Sequence, residues 1–271
     1  MERRKMYREN SDMKNKLTIV KVGGNVINNP ETLDSFLTDF AALEGNKILV
    51  HGGGKRATQL AGDLGLEATM INGRRVTDVA TLEIVTMVYA GLLNKNITAT
   101  LQKFKCNALG LSGADGNSIQ AHKRIVKDVD YGFAGDVDGI NATNISTFIE
   151  GGMTPVFCAI THDGNGQLLN TNADTIASTI AVGMSEKYDV SLIYTFEKNG
   201  VLTSIDDDNS VITDIDSSKY EELKNDGIIA DGMLPKMENC FNALKEGVLE
   251  VIIGNPTVVI NKEQLYTTLT L

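Results

Sequence analysis

The stretch Leu17–Asn25, Leu-Thr-Ile-Val-Lys-Val-Gly-Gly-Asn, limits what this chain can fold into more than any other. Leu17, Ile19, Val20 and Val22 form a short, mostly β-branched run suited to a strand buried on both faces. Its one charge, Lys21, stands just before Gly23 and Gly24. An ammonium group at the end of a buried strand is costly unless an anion meets it or its stem snorkels to solvent. The device recurs at Lys47–Lys55, where Lys-Ile-Leu-Val-His runs into Gly52, Gly53 and Gly54. Successive glycines cost conformational entropy and leave backbone N–H groups open to a ligand. With the helical segment Pro30–Leu43 between them, the two strands make a βαβ unit. Parallel pairing puts both glycine loops at the carboxyl edge of one sheet, where a shared anionic ligand is expected.

Composition narrows the class. A chain of 271 residues with 42% hydrophobic content holds one large α/β domain or two closely packed lobes. The formal net charge of −10 and pI near 4.8 argue against nucleic acid or an anionic membrane as partner. An anionic small molecule must then be drawn in by local Lys and Arg. Cys106, Cys158 and Cys240 are scattered and lack Cys-x-x-Cys spacing, which fits buried thiols in a reducing cytoplasm. His51, His122 and His162 lack metal-ligand spacing, so no protein metal site is expected. No run has the length of a transmembrane helix. Residues 1–16, rich in Arg, Lys, Glu and Asn, read as a flexible basic tail.

Along the chain, Ala57–Leu64 reads as a short helix and Glu67–Val76 as a hairpin around Asn72-Gly73. Asp78 caps a long helix to about Phe104, with Val79, Leu82, Val85, Val88 and Leu92 at near-helical spacing. Cys106–Ser112 is strand-like, Ser118–Asp138 suits antiparallel edge strands, and Asn141–Glu150 is a helix. A buried strand at Gly152–Thr161 precedes a hairpin tip at Asp163–Gly166 and a helix at Thr175–Met184. The pattern then restarts with a strand at Val190–Thr195, a helix at Ser217–Asn225, a helix around Met237–Glu246 and a strand at Val248–Ile253. The expected fold is a mainly parallel open sheet sandwiched by helices. It divides into lobes at residues 17–185 and 186–271, with the break near Ala181–Val190.

The common phosphate-handling motifs are absent. There is no Gly-x4-Gly-Lys-Ser/Thr, no protein-kinase signature set, and no Gly-x-Gly-x-x-Gly after a strand. Five other motifs stand in a fixed order: Val20-Lys-Val-Gly-Gly24, Val50-His-Gly-Gly-Gly54, Asn72-Gly-Arg-Arg-Val-Thr77, Asn170-Thr-Asn-Ala-Asp174 and Asp231-Gly-Met-Leu-Pro-Lys236. Together they resemble the acetylglutamate kinases of the amino acid kinase superfamily, over nearly everything from Leu17 to Ile253.

The resemblance implies ATP-dependent phosphorylation of the γ-carboxylate of N-acetyl-L-glutamate in arginine biosynthesis, with Mg²⁺ carried by phosphate oxygens. By that likeness Lys21 and Lys236 flank the transferring phosphoryl group, and Asp174 sits between the two ammonium groups. Gly23 and Gly24 face phosphate. Gly53, Gly54, Arg75 and Asn170 hold the amino-acid substrate, with the Arg75 fork on its α-carboxylate. Nucleotide contacts are implied at Glu197, Lys198, Gly200, Leu202, Ile228, Ile229 and Ala230. The chemistry agrees with the absence of an evident general base. A glutamate carboxylate, pKa roughly 4.3, is already ionised at neutral pH, and the obstacle is repulsion from the triphosphate.

Two departures from the family pattern stand out. Phe196-Glu-Lys-Asn-Gly200 replaces the usual Ser/Thr-Asp before the variable residue and glycine. Lys55, Arg56 and Arg74 bring charge where relatives carry uncharged or apolar residues. They are either solvated surface charge or a sign that the acyl group is itself anionic, as in N-succinyl-L-glutamate. A non-catalytic nucleotide-binding regulator is a further alternative, opposed by the joint presence of Lys21, Asp174 and Lys236. Arginine-inhibited relatives carry a longer N-terminal helix, so a homodimer without arginine control is expected here.

Overall fold

A computed structural model describes residues 14–271, apart from Asn72, Ile205, Asp231, Gly232 and residues 261–264. Its main sheet has eight strands in the order Asp214–Ile215, Thr267–Leu269, Glu250–Gly254, Tyr188–Thr195, Asn15–Val22, Asn46–His51, Thr154–Cys158 and Ala108–Leu111. All pairings are parallel except that of Glu250–Gly254 with Thr267–Leu269. The first strand lies inside the sheet, with Lys21 opposite Tyr194 on one side and Val50 on the other. The sheet therefore crosses the expected lobe break without interruption.

Alternation along this strand decides where Lys21 points. Leu17 and Ile19 enter one core with Val50, Leu192, Ile176 and Met237, whereas Val20 and Val22 enter a second core with Phe36, Phe40 and Leu49. Lys21 has the parity of Leu17 and Ile19, so it emerges on the face covered by the helices Ala173–Met184 and Leu234–Lys245.

The structure moves several expected boundaries. The strand begins at Asn15, so residues 14–16 are not tail, and Lys14 Nζ donates to the Ser185 carbonyl at 2.7 Å. The remainder of that tail lies outside the described residues. The helix expected at Ala57–Leu64 is Gly54–Asp63, because the last glycine of the triplet already has helical backbone. The segment Ser118–Asp138 is antiparallel but is no edge of the main sheet. Its strands Ile119–Lys123 and Gly135–Ile140 join Ile160–His162 and Leu168–Asn170 in a separate four-stranded sheet. The expected single strand Gly152–Thr161 is split accordingly: Thr154–Cys158 ends in the main sheet, and Ile160–His162 enters the small one.

The hairpin pairs Met70–Ile71 with Arg74–Arg75; its turn residue Asn72 lies outside the described residues. Asp78 caps the long helix, accepting from the Thr81 amide at 2.8 Å. That helix is α over Val79–Thr86, π over Met87–Leu93, and α again over Asn94–Lys103. Leu82, Val85 and Val88 are buried as the spacing requires, but Val79 is 61% and Leu92 43% exposed. The wider π turn rotates the buried face, bringing Tyr89 and Leu93 inward in place of Leu92.

Candidate active site

Lys21, one residue before the end of its strand, lies at the floor of a cleft of about 1040 Å³ on the carboxyl edge of the sheet. Its side chain is 12% exposed, and its ammonium lies 2.7 Å from Asp174 Oδ1. Asp174 stands in the first turn of Ala173–Met184 and is oriented from two sides. Asn172 Oδ1 accepts from the amides of Asp174 and Thr175 at 2.7 and 3.1 Å, and the Tyr194 hydroxyl donates to the Asp174 carbonyl at 3.1 Å. The carboxylate thus serves both the helix dipole and Lys21.

Lys236 arrives from the start of Leu234–Lys245, where Pro235 occupies the first turn without loss of a needed N–H. Lys21 and Lys236 Nζ lie 5.9 and 4.4 Å from the centroid of the same ring, Phe196, whose electron-rich face attracts cations. Among the described residues no carboxylate pairs with Lys236, so the expected bracing of both ammonium groups by Asp174 is made on the Lys21 side alone. Asp231 and Gly232, which open the Lys236 motif, lie outside the described residues.

Beneath the pair, burial pushes the Cys240 thiol up to about 12, reinforced by the Asp174 charge and opposed by Lys236. Burial likewise holds the Tyr194 hydroxyl well above its usual range. Both groups stay protonated at neutral pH, so the cleft floor offers cations and no thiolate nucleophile.

The glycine and nucleotide-side residues divide unevenly. Gly23 and Gly24 line the cleft, and the Gly23 amide donates to Thr195 Oγ1 at 3.3 Å. Glu197, Lys198, Gly200, Leu202, Ile228 and Ala230 line it too. Ile229 does not: it is 1% exposed and belongs to the core, so its side chain cannot face a nucleotide. Lys198 pairs with Asp208 at 2.7 Å. Sequence reading gave Phe196 no role, although it follows directly on a strand that neighbours Lys21.

Gly53, Gly54, Arg75 and Asn170 form a second cluster beside the cleft. Arg75 is buried, and its Nη2 donates to the Gly54 carbonyl at 3.0 Å and to Thr58 Oγ1 at 2.7 Å. Asn170 Nδ2 donates to Thr77 Oγ1 at 2.9 Å. Gly53 is required by space: a Cβ there would come within 2.5 Å of Leu93 and 2.7 Å of the Tyr89 ring.

Under this cluster His51 is fully buried. Its Nδ1 meets the Gly52 carbonyl at 2.8 Å, and its Nε2 lies 3.1 Å from Asn94 Nδ2, which also donates to the Val156 carbonyl. An amide NH₂ only donates and a carbonyl only accepts, so the imidazole is neutral with its proton on Nδ1. Arg56 is half-buried, Arg74 is exposed, and neither lines the cleft. Among the described residues no group of three His, Cys, Asp or Glu side chains converges as a metal site.

The arrangement resembles known proteins along most of its length. The profile of the Amino acid kinase family matches residues 16–255. The acetylglutamate kinase of Cytophaga hutchinsonii is 55% identical over 239 residues, covering 88% of this chain and 90% of that one. The acetylglutamate kinase of Bacteroides fragilis is 53% identical over 241 residues, covering 89% and 92%. Among solved structures, the smu.665 protein of Streptococcus mutans matches with a TM-score of 0.72 at 26% identity, covering 94% of this chain and 98% of that one. Five ordered motifs, a parallel sheet with a cationic cleft at its carboxyl edge, and this degree of identity agree: the chain belongs to the amino acid kinase family, in its acetylglutamate kinase branch.

Proposed function

We propose that the protein transfers the γ-phosphoryl group of ATP to the γ-carboxylate of N-acetyl-L-glutamate, a step of arginine biosynthesis. The observation that carries this reading is the gathering of Lys21, Asp174 and Lys236 at one cleft, around Phe196. The acceptor is already an anion, so the protein has no proton to remove. Its task is to hold two mutually repelling anions in line and to neutralise charge as it spreads over the equatorial oxygens. Lys21 and Lys236 supply that positive charge, and Asp174 keeps the Lys21 ammonium aimed.

Gly23 and Gly24 bring backbone close to the phosphates. Gly53, Gly54, Arg75 and Asn170 hold the acylamino acid, Arg75 through a guanidinium already aligned by the Gly54 carbonyl. The nucleotide lies along Glu197–Leu202 with Ile228 and Ala230. Residues 17–185 act as the substrate lobe and residues 186–271 as the nucleotide lobe. Mg²⁺ fits as a companion of ATP carried on phosphate oxygens: Asp174 is engaged with Lys21, and among the described residues no group of three His, Cys, Asp or Glu side chains converges on the cleft to cage a metal.

A coupled ADP-release assay tests the reading with acetylglutamate, succinylglutamate, glutamate, aspartate and carbamate. Turnover that depends on acetylglutamate is expected. Turnover with none of these, or a clear preference for another acceptor, overturns it. Succinylglutamate is not favoured, because the close relatives are acetylglutamate kinases and Lys55 lines the cleft together with Gly23 and Gly24, the glycines read as phosphate-binding.

The reading extends to a homodimer in the cytoplasm, where the three buried free thiols would stay reduced. Val79, Met87 and Leu92 expose apolar surface on the long helix, which a second copy can cover. Light scattering should return twice the 29.3 kDa chain mass, with or without arginine; a monomer or a hexamer would refute the dimer.

A further inference from the structure

Lys55 lines the same cleft as Lys21, Gly23, Gly24 and Lys236, whereas Arg75 and Asn170 do not. Its ammonium donates to Asn25 Oδ1, one residue beyond the Gly23-Gly24 pair. Asn25 is neutral, and among the described residues Lys55 makes no ion pair. Of the other cations of the cleft, Lys21 faces Asp174 and Lys198 faces Asp208, whereas Lys236, like Lys55, pairs with no carboxylate among the described residues. Among the described residues, then, the Lys55 ammonium faces no carboxylate, and Asn25 takes one of its three N–H donors.

The backbone at its root is fixed and its tip is not. Lys55 sits in the first turn of Gly54–Asp63, where the Gly54 carbonyl is tied to Arg75 and the Ala57 amide to the Gly53 carbonyl. The side chain itself is exposed. An uncompensated ammonium on a rigid base, beside glycines facing a cleft, matches a polyphosphate better than a second carboxylate on the acyl group.

We propose that Lys55 is a third phosphate-binding cation of this enzyme, leaving Asn25 for the β- and γ-phosphate oxygens when ATP binds. This rests on the kinase reading given above. The exchange replaces a hydrogen bond to a neutral amide by a charge-assisted one to phosphate, roughly twice as strong.

The test compares wild type, Lys55→Met and Lys55→Arg in steady-state turnover, with calorimetric binding of Mg-ADP and of AMP. In Lys55→Met the KM for ATP should rise and Mg-ADP affinity should fall, each by about tenfold, as for loss of one charged hydrogen bond. AMP affinity and the KM for acetylglutamate should stay put, and Lys55→Arg should restore most of the loss. An unchanged KM for ATP overturns the proposal, as does a rise confined to the KM for acetylglutamate. Equal weakening of AMP and ADP also overturns it, since that marks a general structural loss. If wild type shows no acetylglutamate-dependent turnover, the kinase reading itself fails, and the ADP-against-AMP comparison still judges Lys55.

Discussion

Lys21→Met and Lys236→Met should each lower kcat by about 10²–10³-fold, the loss found when a principal donor to a transition state is removed. Methionine keeps most of each aliphatic stem and removes the ammonium, together with its contact to the Phe196 ring. Both ammonium groups are aimed at charge that develops during transfer, so kcat and kcat/KM should fall together while the KM for ATP changes little. The two sites answer to different partners. Lys21→Met also leaves the Asp174 carboxylate without its 2.7 Å companion, whereas Lys236 has no such carboxylate among the described residues. Asp174→Asn should therefore reduce turnover less than Lys21→Met, because it loosens one ammonium without deleting it. Rapid-quench measurement of the chemical step is the direct check. Activity within twofold of wild type in both lysine variants would remove the assigned roles.

The second large effect concerns acid stability. Burial pushes the His51 imidazole down to about 4, opposed by its bond to the Gly52 carbonyl and aided by the charge of Lys95. In the unfolded chain a histidine titrates near 6.5. Below that value the unfolded state takes up a proton that the native state refuses. The stability tied to neutral His51 is thus complete above about pH 6.5 and is lost progressively as pH falls towards 4, amounting to about 3 kcal/mol. Urea midpoints from neutral to about pH 4.5 should fall accordingly, on top of any carboxylate contribution. A site-specific reading separates the two: the His51 ring resonances should not titrate between about pH 5 and 7, because the folded protein holds the ring neutral. Titration of that ring near 6.5 in the folded protein would refute the assignment.

What the residues disclosed, and what they hid, follows from the range of the interactions involved. Strand Leu17–Val22 and helix Ser217–Asn225 were legible because local pattern decides them: β-branched residues in one, Asp216 accepting from the Lys219 amide in the other. The division of Gly152–Thr161 between two sheets was not, since Ala159 carries no local mark of a change of partner. Nor was the π turn at Met87–Leu93, which leaves a helical spacing nearly intact while turning Leu92 outward.

In the candidate site, the motifs named Lys21, Asp174 and Lys236, but their meeting depends on strand parity and on helices contributed from distant parts of the chain. Ile229 was placed at the cleft only because it lies between Ile228 and Ala230. Adjacency in sequence does not make adjacent side chains face the same way. Phe196 had no motif of its own, and its place under two lysines became visible only once the neighbouring strands were in register.

The position of Asn15–Val22 inside an unbroken ladder bears on how this enzyme can move. Every peptide of that strand from Leu17 to Lys21 is matched to a neighbour on the left and on the right. Such a doubly clamped segment ranks among the last to open in native-state fluctuations. The Lys21 root is thus held on both sides by the ladder, the most firmly anchored part of the cleft, while the helix and loop residues around it, such as Lys55 and the Glu197–Leu202 loop, are tied down less.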